Sequence, residues 1–465
     1  MSELVLIKNI IKDQMIGKEV TIKGWVKSTR KKKSFSFIVL NDGSNQSGLQ
    51  IVADAQIPGY DNATNALTGS SLSITGKVVA SQGQGQSLEL QASVLELLGP
   101  ADETFPLQKK ATSLEFLREN AHLRSRTNTM AAVMRVRSSL AFATHSFFNA
   151  RDFLYLHTPI ITGSDCEGAG EMFKVTTLDL DHLPRNEEGK VDYKKDYYGK
   201  DTGLTVSGQL NAETYACGMG RVYTFGPTFR AENSNTPRHA SEFWMIEPEV
   251  AFFDLEDVAN LAIDYIKHLI NHALNNNLED LTFLQSRYKE DLIASLTKVS
   301  NSPVNKITYT QAIDILQKAK VDGHHFDFPV EWGSDLQTEH ERFLSEKTFD
   351  GPVIVTDYPK AIKSFYMKQN SDGKTVRAMD ILVPGVGEII GGSQREDDYG
   401  LLLQRINELG LKKEDYWWYL DLRKYGTVPH SGFGLGFERA IMYITGMQNI
   451  RDVIAFPRTP GNAEF

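Results

Sequence analysis

Between about Val20 and Leu98 the chain alternates apolar and polar residues in five short runs: EVTIKGWVKSTR, SFSFIVLND, GLQIVA, SSLSITGKVVAS and QSLELQASVLELL. Gly, Asn, Asp and Ser separate them, the punctuation expected between strands. A period of two sends successive side chains to opposite faces, so each run reads as a half-buried strand. Five short strands in about eighty residues imply a small barrel, because closing the sheet removes its edges.

Among small barrels the oligonucleotide-binding fold fits best. One stretch carries Arg30, Lys31, Lys32 and Lys33 next to Phe35 and Phe37. Cations for phosphates beside aromatic rings for stacking are what single-stranded bases require. A solvated turn with both phenylalanines in the core explains the same residues, and taken alone they favour that reading. At 465 residues the chain has room for two or three domains. Its charge of -9 argues against a nonspecific DNA binder and leaves open a nucleic-acid partner met by a local basic patch. Two cysteines, Cys166 and Cys217, give no disulfide framework and no CxxC zinc pattern, and point to a reducing compartment, read here as cytoplasmic. No run approaches the roughly 18 apolar residues of a membrane helix, and MSELVLIKNIIKD lacks the order of a signal peptide. No membrane association is expected.

Further along, Pro100 and Pro106 among polar residues from Gly99 to Lys110 mark a hinge. Ala132, Val136, Leu140, Ala143 and Phe147 recur at helical steps, and an extended Phe153–Leu156 follows, ending at His157-Thr-Pro159. Thr177 to Thr202 reads as a polar surface excursion. Leu255, Val258, Leu261, Ala262, Tyr265, Ile266 and Leu269 predict a second amphipathic helix. Strands are expected at 353–356, 364–367, 377–382 and 385–390, and GFGLGFERAIMYITG reads as a glycine-rich strand running into a helix. The fold class is therefore α+β, with residues 1–100 as the barrel, 101–128 as the hinge, and 129–465 as a second domain carrying a helical insertion at about 279–344.

Three constellations carry chemistry. RVYTFGPTFRAENSNTPRHASEFWMIEPE, from Arg221 to Glu249, predicts two antiparallel strands joined by a long loop with Arg230, Glu232, Arg238 and His239 ahead of Phe243. A plain hairpin needs only a short turn. Guanidinium forks suit phosphates and a phenylalanine can stack on a purine, whereas the bland reading pairs Arg230 with Glu232 at the surface. The second group is Asp380 and Glu388 with Gly391, Gly392, Ser393 and Arg395. Its paired carboxylates suit magnesium, and a polar hairpin suits them equally. The third is Arg439 after glycines 432, 434 and 436, which allow close approach of a flat ligand or of a packed helix.

Together, the helix and strand ending at Pro159, FRAE (Phe229 to Glu232) and GLGFER (Gly434 to Arg439) resemble the three signature motifs of class II aminoacyl-tRNA synthetases. With the N-terminal barrel in front, the chain is similar to the aspartyl, asparaginyl and lysyl subgroup. Within it, SGQLNAE (Ser207 to Glu213) and FRAEN resemble the asparaginyl members. Aspartyl enzymes have a lysine for the substrate carboxylate where this chain has Ala212, and a neutral amide needs one donor and one acceptor where a carboxylate needs donors.

The resemblance implies a barrel followed by an antiparallel catalytic sheet flanked by helices, which joins L-asparagine to tRNA(Asn) at the expense of ATP as a homodimer. It implies that Arg230 binds the α-phosphate and the asparagine carboxylate. Arg439, Arg238 and His239 are expected on the β- and γ-phosphates, Phe243 on adenine, and Glu232 near the adenine or the terminal adenosine. Asp380 and Glu388 are expected to carry Mg2+. Glu167, Ser207 and Gln209 align with residues that receive the α-ammonium group. Arg395 is expected to donate to the side-chain oxygen of asparagine, and Glu247 to accept from its nitrogen and repel aspartate. In the barrel, Phe37 and Gln50 match residues that grip the anticodon, with Phe35 as an alternative stacker. Competing readings are an aspartyl-type enzyme, ammonia-dependent asparagine synthesis on a related core, and an RNA-binding relative with a disabled core.

Overall fold

The computed structural model describes residues 3–83, 85–108, 112–166, 172–234 and 236–465. The chain divides into two compact units, residues 1–135 with Phe465, and residues 136–464.

In the first unit β1 (Glu3–Leu4), β2 (Glu19–Lys31), β3 (Phe35–Asn41), β4 (Leu49–Asp54), β5 (Ser71–Ala80) and β6 (Leu88–Gly99) form one sheet in the order β1-β2-β3-β4-β6-β5. A further β2–β5 pairing closes five of these strands into a barrel, as the alternation predicts. Its core takes every second residue: Val20, Ile22 and Val26 from β2, Ile38 and Leu40 from β3, Leu49 and Ile51 from β4, Leu72 and Ile74 from β5. Gly59, at φ +81°, leads into the short helix Tyr60–Thr64 across the barrel, where a side chain would overlap the Leu95 carbonyl. Phe35 and Phe37 lie half-buried outside that core. The core reading of these rings is therefore set aside.

The second unit is organised on an eight-stranded sheet. Its strands are β7 (Leu154–Tyr155), β10 (Arg221–Phe229), β11 (Glu242–Ala251), β12 (Asn305–Thr308), β13 (Val353–Pro359), β14 (Thr375–Val383), β15 (Gly387–Gln394) and β16 (His430–Gly436), in the order β12-β13-β14-β15-β16-β11-β10-β7. A separate pair joins β8 (Ile161–Thr162) to β9 (Gly203–Leu204). The inner strands are antiparallel as expected, but β12–β13 and β10–β7 are parallel, so the sheet is mixed. Parallel neighbours need a long crossover, and the connection from β12 to β13 contains the helix Tyr309–Val321. The stretch read as a helical insertion thus also contributes an edge strand. No strand forms at 364–367: Phe365 and Tyr366 are both buried among Tyr416, Tyr419 and Leu402, which two adjacent residues of a strand packed on one face cannot manage.

Helix Leu255–Asn276 packs on β14, β15 and β16 through Val258, Leu261, Ala262, Tyr265, Ile266 and Leu269. Its start is fixed by a capping box, in which Asp254 accepts from the Glu256 and Asp257 backbone and Asp257 accepts from that of Asp254. Ile38 sits fully buried at the centre of the barrel. Ile38→Ala is expected to cost about 2–5 kcal/mol, read as a lower urea midpoint for loss of barrel amide protection. Phe37→Ala, on the outer face, should move that midpoint far less.

Candidate active site

The face of the sheet opposite helix Leu255–Asn276 has a floor of glycine. On β11 the alternation puts Phe243, Met245, Glu247 and Glu249 on one face. Met245 lies opposite Gly436 and Glu249 opposite Gly432 on β16, with Glu247 and Gly434 between them. On the other side Gly434 faces Gly391 of β15, which faces Asp380 of β14. Without side chains at 391, 432 and 434 the middle of the sheet is a trough, with acidic residues on both walls.

One end of the trough opens into a cavity of about 320 Å3. Arg230, Glu232, Arg238, His239, Phe243, Glu388 and Arg439, expected on a nucleotide, all line it. The Arg230 guanidinium lies 5.5 Å from the centre of the Phe243 ring. Arg238 donates to Thr338 Oγ1 at 2.9 Å, and partial desolvation together with the charges of Arg439 and Arg342 lowers its pKa. Cations that repel one another across an open cavity form a site for a polyanion. His239 is held by Thr236 through Nδ1 at 2.5 Å.

Acid groups form the adjoining wall. Oxygens of Glu388 and Asp380 would stand 3.1 and 3.4 Å from a Cβ built on Gly391, so both carboxylates converge on the space that this glycine leaves. Lys363 donates to Asp380 at 3.1 Å; burial opposes its charge, but Asp380 and Glu388 hold its pKa above the ordinary value. Glu341 accepts from the Glu388 backbone at 3.0 Å, and burial with the Glu388 charge pushes its carboxyl up to about 7. Burial and Asp380 raise Glu388 too, although 38% of its side chain stays exposed and water moderates the effect. Among the described residues no three His, Cys, Asp or Glu converge as a metal site. The Asp380–Glu388 pair fits an ion that takes one or two carboxylates and the rest of its ligands from phosphates.

At the other end the trough is a sealed polar cluster. Arg395 presents a fork to Glu249, with Nε to Oε2 at 3.1 Å and Nη2 to Oε1, and donates from Nη1 to Ser393 at 2.7 Å. Burial, with Glu213 and Glu247 nearby, pushes the Glu249 carboxyl up, to about 8, while Arg395 pulls it down. The fork uses both oxygens as acceptors, the geometry of the ionised form. Glu247 accepts from Ser207 Oγ, from the Gly208 backbone at 3.0 Å and from Thr224 at 3.1 Å. Gln209 donates to Glu213 at 3.1 Å. Ala212 is fully buried against Ala216 and Val222. Glu167 lies outside the described residues.

A family described as tRNA synthetases class II (D, K and N) matches residues 113–460, and one described as OB-fold nucleic acid binding domain matches residues 20–98. The chain belongs to the class II tRNA synthetases. It is 58% identical to the asparagine–tRNA ligase of Desulfitobacterium hafniense over 465 residues, all of both chains, and 56% identical to that of Clostridium tetani over 97% of each. The asparaginyl-tRNA synthetase of Pyrococcus horikoshii, solved with asparaginyl-adenylate, superposes with a TM-score of 0.86 at 33% identity over all of both chains. That of Entamoeba histolytica, also with the adenylate, gives 0.83 at 26%.

The site is assembled from distant segments, and sequence reasoning missed those that lie far from the motifs. Lys363, Glu341, Arg423 and His430 carry no local signal. Glu249 does, being two residues after Glu247 on one strand, and so does Glu213, one helical turn after Gln209. On the barrel, Phe35 and Phe37 meet edge to face at 5.2 Å with Arg30 5.5 Å over Phe37. Gln50, opposite Val39, shares that face and donates to Glu89 at 3.1 Å. A Cβ at Gly432 would overlap the Glu249 carboxylate, whereas one at Gly434 meets only the movable end of Met245 at 2.8 Å. Gly432→Ala is therefore expected to cost about 1–3 kcal/mol by urea unfolding, and Gly434→Ala under about 1 kcal/mol.

Proposed function

We propose that this chain ligates L-asparagine to tRNA(Asn) in two steps, through an asparaginyl-adenylate. One observation carries the reading of the site: a cation-lined cavity and a sealed polar cluster around Arg395 share one glycine-floored trough, so a nucleotide phosphate and an amino acid carboxylate can meet over it. In the first step an oxygen of the asparagine carboxylate bonds to the α-phosphorus of ATP, the bond to the bridging oxygen breaks, and pyrophosphate leaves. No protein nucleophile is required. Catalysis lies in alignment and in stabilising phosphate charge. Arg230 holds the α-phosphate and the incoming carboxylate, Arg238, His239 and Arg439 the β- and γ-phosphates, and Phe243 stacks on adenine, with Glu232 beside it. Asp380 and Glu388 would hold Mg2+, which supplies charge neutralisation on the phosphates.

At the sealed end Arg395 keeps two nitrogens engaged with Glu249 and offers its remaining N–H groups to the amide oxygen. Glu247 accepts from the amide nitrogen, and Ser207, Gln209 and Glu167 receive the α-ammonium group. Ala212, walled in by Ala216 and Val222, leaves no room for a lysine to pair with aspartate. In the second step the asparaginyl group passes to the terminal ribose of tRNA, whose anticodon is held on Phe35, Phe37 and Gln50. The same reading makes the protein a cytoplasmic homodimer joined through the helix and strand before Pro159, where Phe142 and Tyr155 are exposed. No helix among the described residues is long and apolar enough to cross a membrane.

ATP–pyrophosphate exchange tests this. Asparagine is expected to support exchange with kcat/KM at least ~100-fold above aspartate, and equal or better use of aspartate would reassign the substrate. Glu247→Gln should lower that ratio by roughly 10-fold or more, and an unchanged ratio removes Glu247 from amide recognition. Analytical ultracentrifugation of the active protein should return the mass of a dimer, and a monomer with full activity contradicts the dimer.

A further inference from the structure

The string Ser207–Glu213 ends in a carboxylate to which the reaction above gives no task. Glu213 is fully buried on helix Gln209–Met219, one turn beyond Gln209. Three side chains donate to it, Gln209 Nε2 at 3.1 Å, Tyr419 at 2.7 Å and Arg423 Nη2 at 3.2 Å, and the His430 ring makes a fourth contact through Nε2 at 2.9 Å. Arg395 stands 3.9 Å away. Burial works to raise the Glu213 pKa, and the His430 hydrogen bond with the Arg423 and Arg395 charges outweighs it, holding the carboxyl well below its usual range. A buried carboxylate so fully satisfied is built to remain ionised.

An ionised carboxylate only accepts hydrogen bonds. Gln209 therefore turns its NH2 toward Glu213, and its amide oxygen points the other way. The two ends of a carboxamide have almost the same shape and opposite polarity, so shape alone would not fix which one meets a substrate. An oxygen welcomes an ammonium group; an NH2 repels it.

We propose that Glu213 is a positioning residue that locks the Gln209 amide with its oxygen toward the α-ammonium of asparagine, and that Tyr419, Arg423 and His430 keep Glu213 in the acceptor state this requires. The inference rests on the asparagine reading of this end of the trough. Specificity for an amino acid over its deaminated analogue is then set one residue behind the contact itself, on the same helix.

The full-length protein tests it by asparagine-dependent pyrophosphate exchange. Glu213→Gln replaces the acceptor by an amide that also donates, so Gln209 is free to invert; KM for asparagine is expected to rise about 10-fold or more while KM for ATP stays within about twofold. Glu213→Asp keeps the charge for Arg423 and His430 but withdraws it from Gln209, and should give the same selective rise even if Glu213→Gln does not fold. Gln209→Met should raise KM for asparagine alone, and adding either Glu213 change to it should cause no further rise. Additive losses, parallel changes in both KM values, or an unchanged KM in Glu213→Asp would overturn the proposal. A wild-type protein that fails to exchange with asparagine would overturn the functional reading itself, whereas normal wild-type exchange with insensitive variants overturns only the role of Glu213.

Discussion

A guanidinium and a carboxylate sealed inside a sheet are stable only as a pair, because either one alone would be a buried unpaired charge costing about 3–5 kcal/mol. Arg395 and Glu249 are such a pair, almost fully out of solvent, and the strands around them are arranged to suit it. Gly432 lacks a side chain where the Glu249 carboxylate lies, and Ser393 supplies the acceptor that the fork leaves over. Because β16 lies between β11 and β15, the pair ties together strands separated by well over a hundred residues of sequence. It fixes the depth of one end of the trough, and through Glu213 it is connected to Arg423, His430 and Tyr419.

The trough is electrostatically graded. At its open end arginines crowd one another, and partial burial together with the charges of Arg439 and Arg342 depresses the pKa of Arg238. Across the floor, Glu341, Asp380 and Glu388 crowd as acids, with Lys363 as their internal counterion. Lys363 pairs with Asp380 at 3.1 Å and Arg439 stands 3.8 Å from Glu388, so each set is only partly neutralised. On the proposed reading of the site, a ligand with a negative chain of phosphates and an accompanying cation would relieve both at once.

How much of this was legible in the sequence follows from the range of each signal. The barrel could be read because alternation at a period of two is local, and Val20, Ile22, Ile38, Leu40, Ile51 and Ile74 occupy the core positions it assigns. The two parallel edges could not, since the direction of β7 and β12 depends on what they meet after long excursions. At 364–367 two aromatic residues imitate a strand while both turn inward to fill one cluster. Most of the residues that line the open cavity were legible because motifs concentrate them into two short strings. Lys363, Arg423 and His430 were not, since each acquires its role only by meeting a carboxylate contributed from elsewhere in the chain.

Phe35 and Phe37 have a further consequence. Both rings sit on the outside of the barrel, edge to face and flanked by Arg30, while the strand's inward positions are filled by Ser36, Ile38 and Leu40. One strand thus alternates between two jobs residue by residue. Substitutions at the odd positions can retune what the barrel grips without touching what holds it folded, so the surface is free to drift toward new partners while the scaffold stays still.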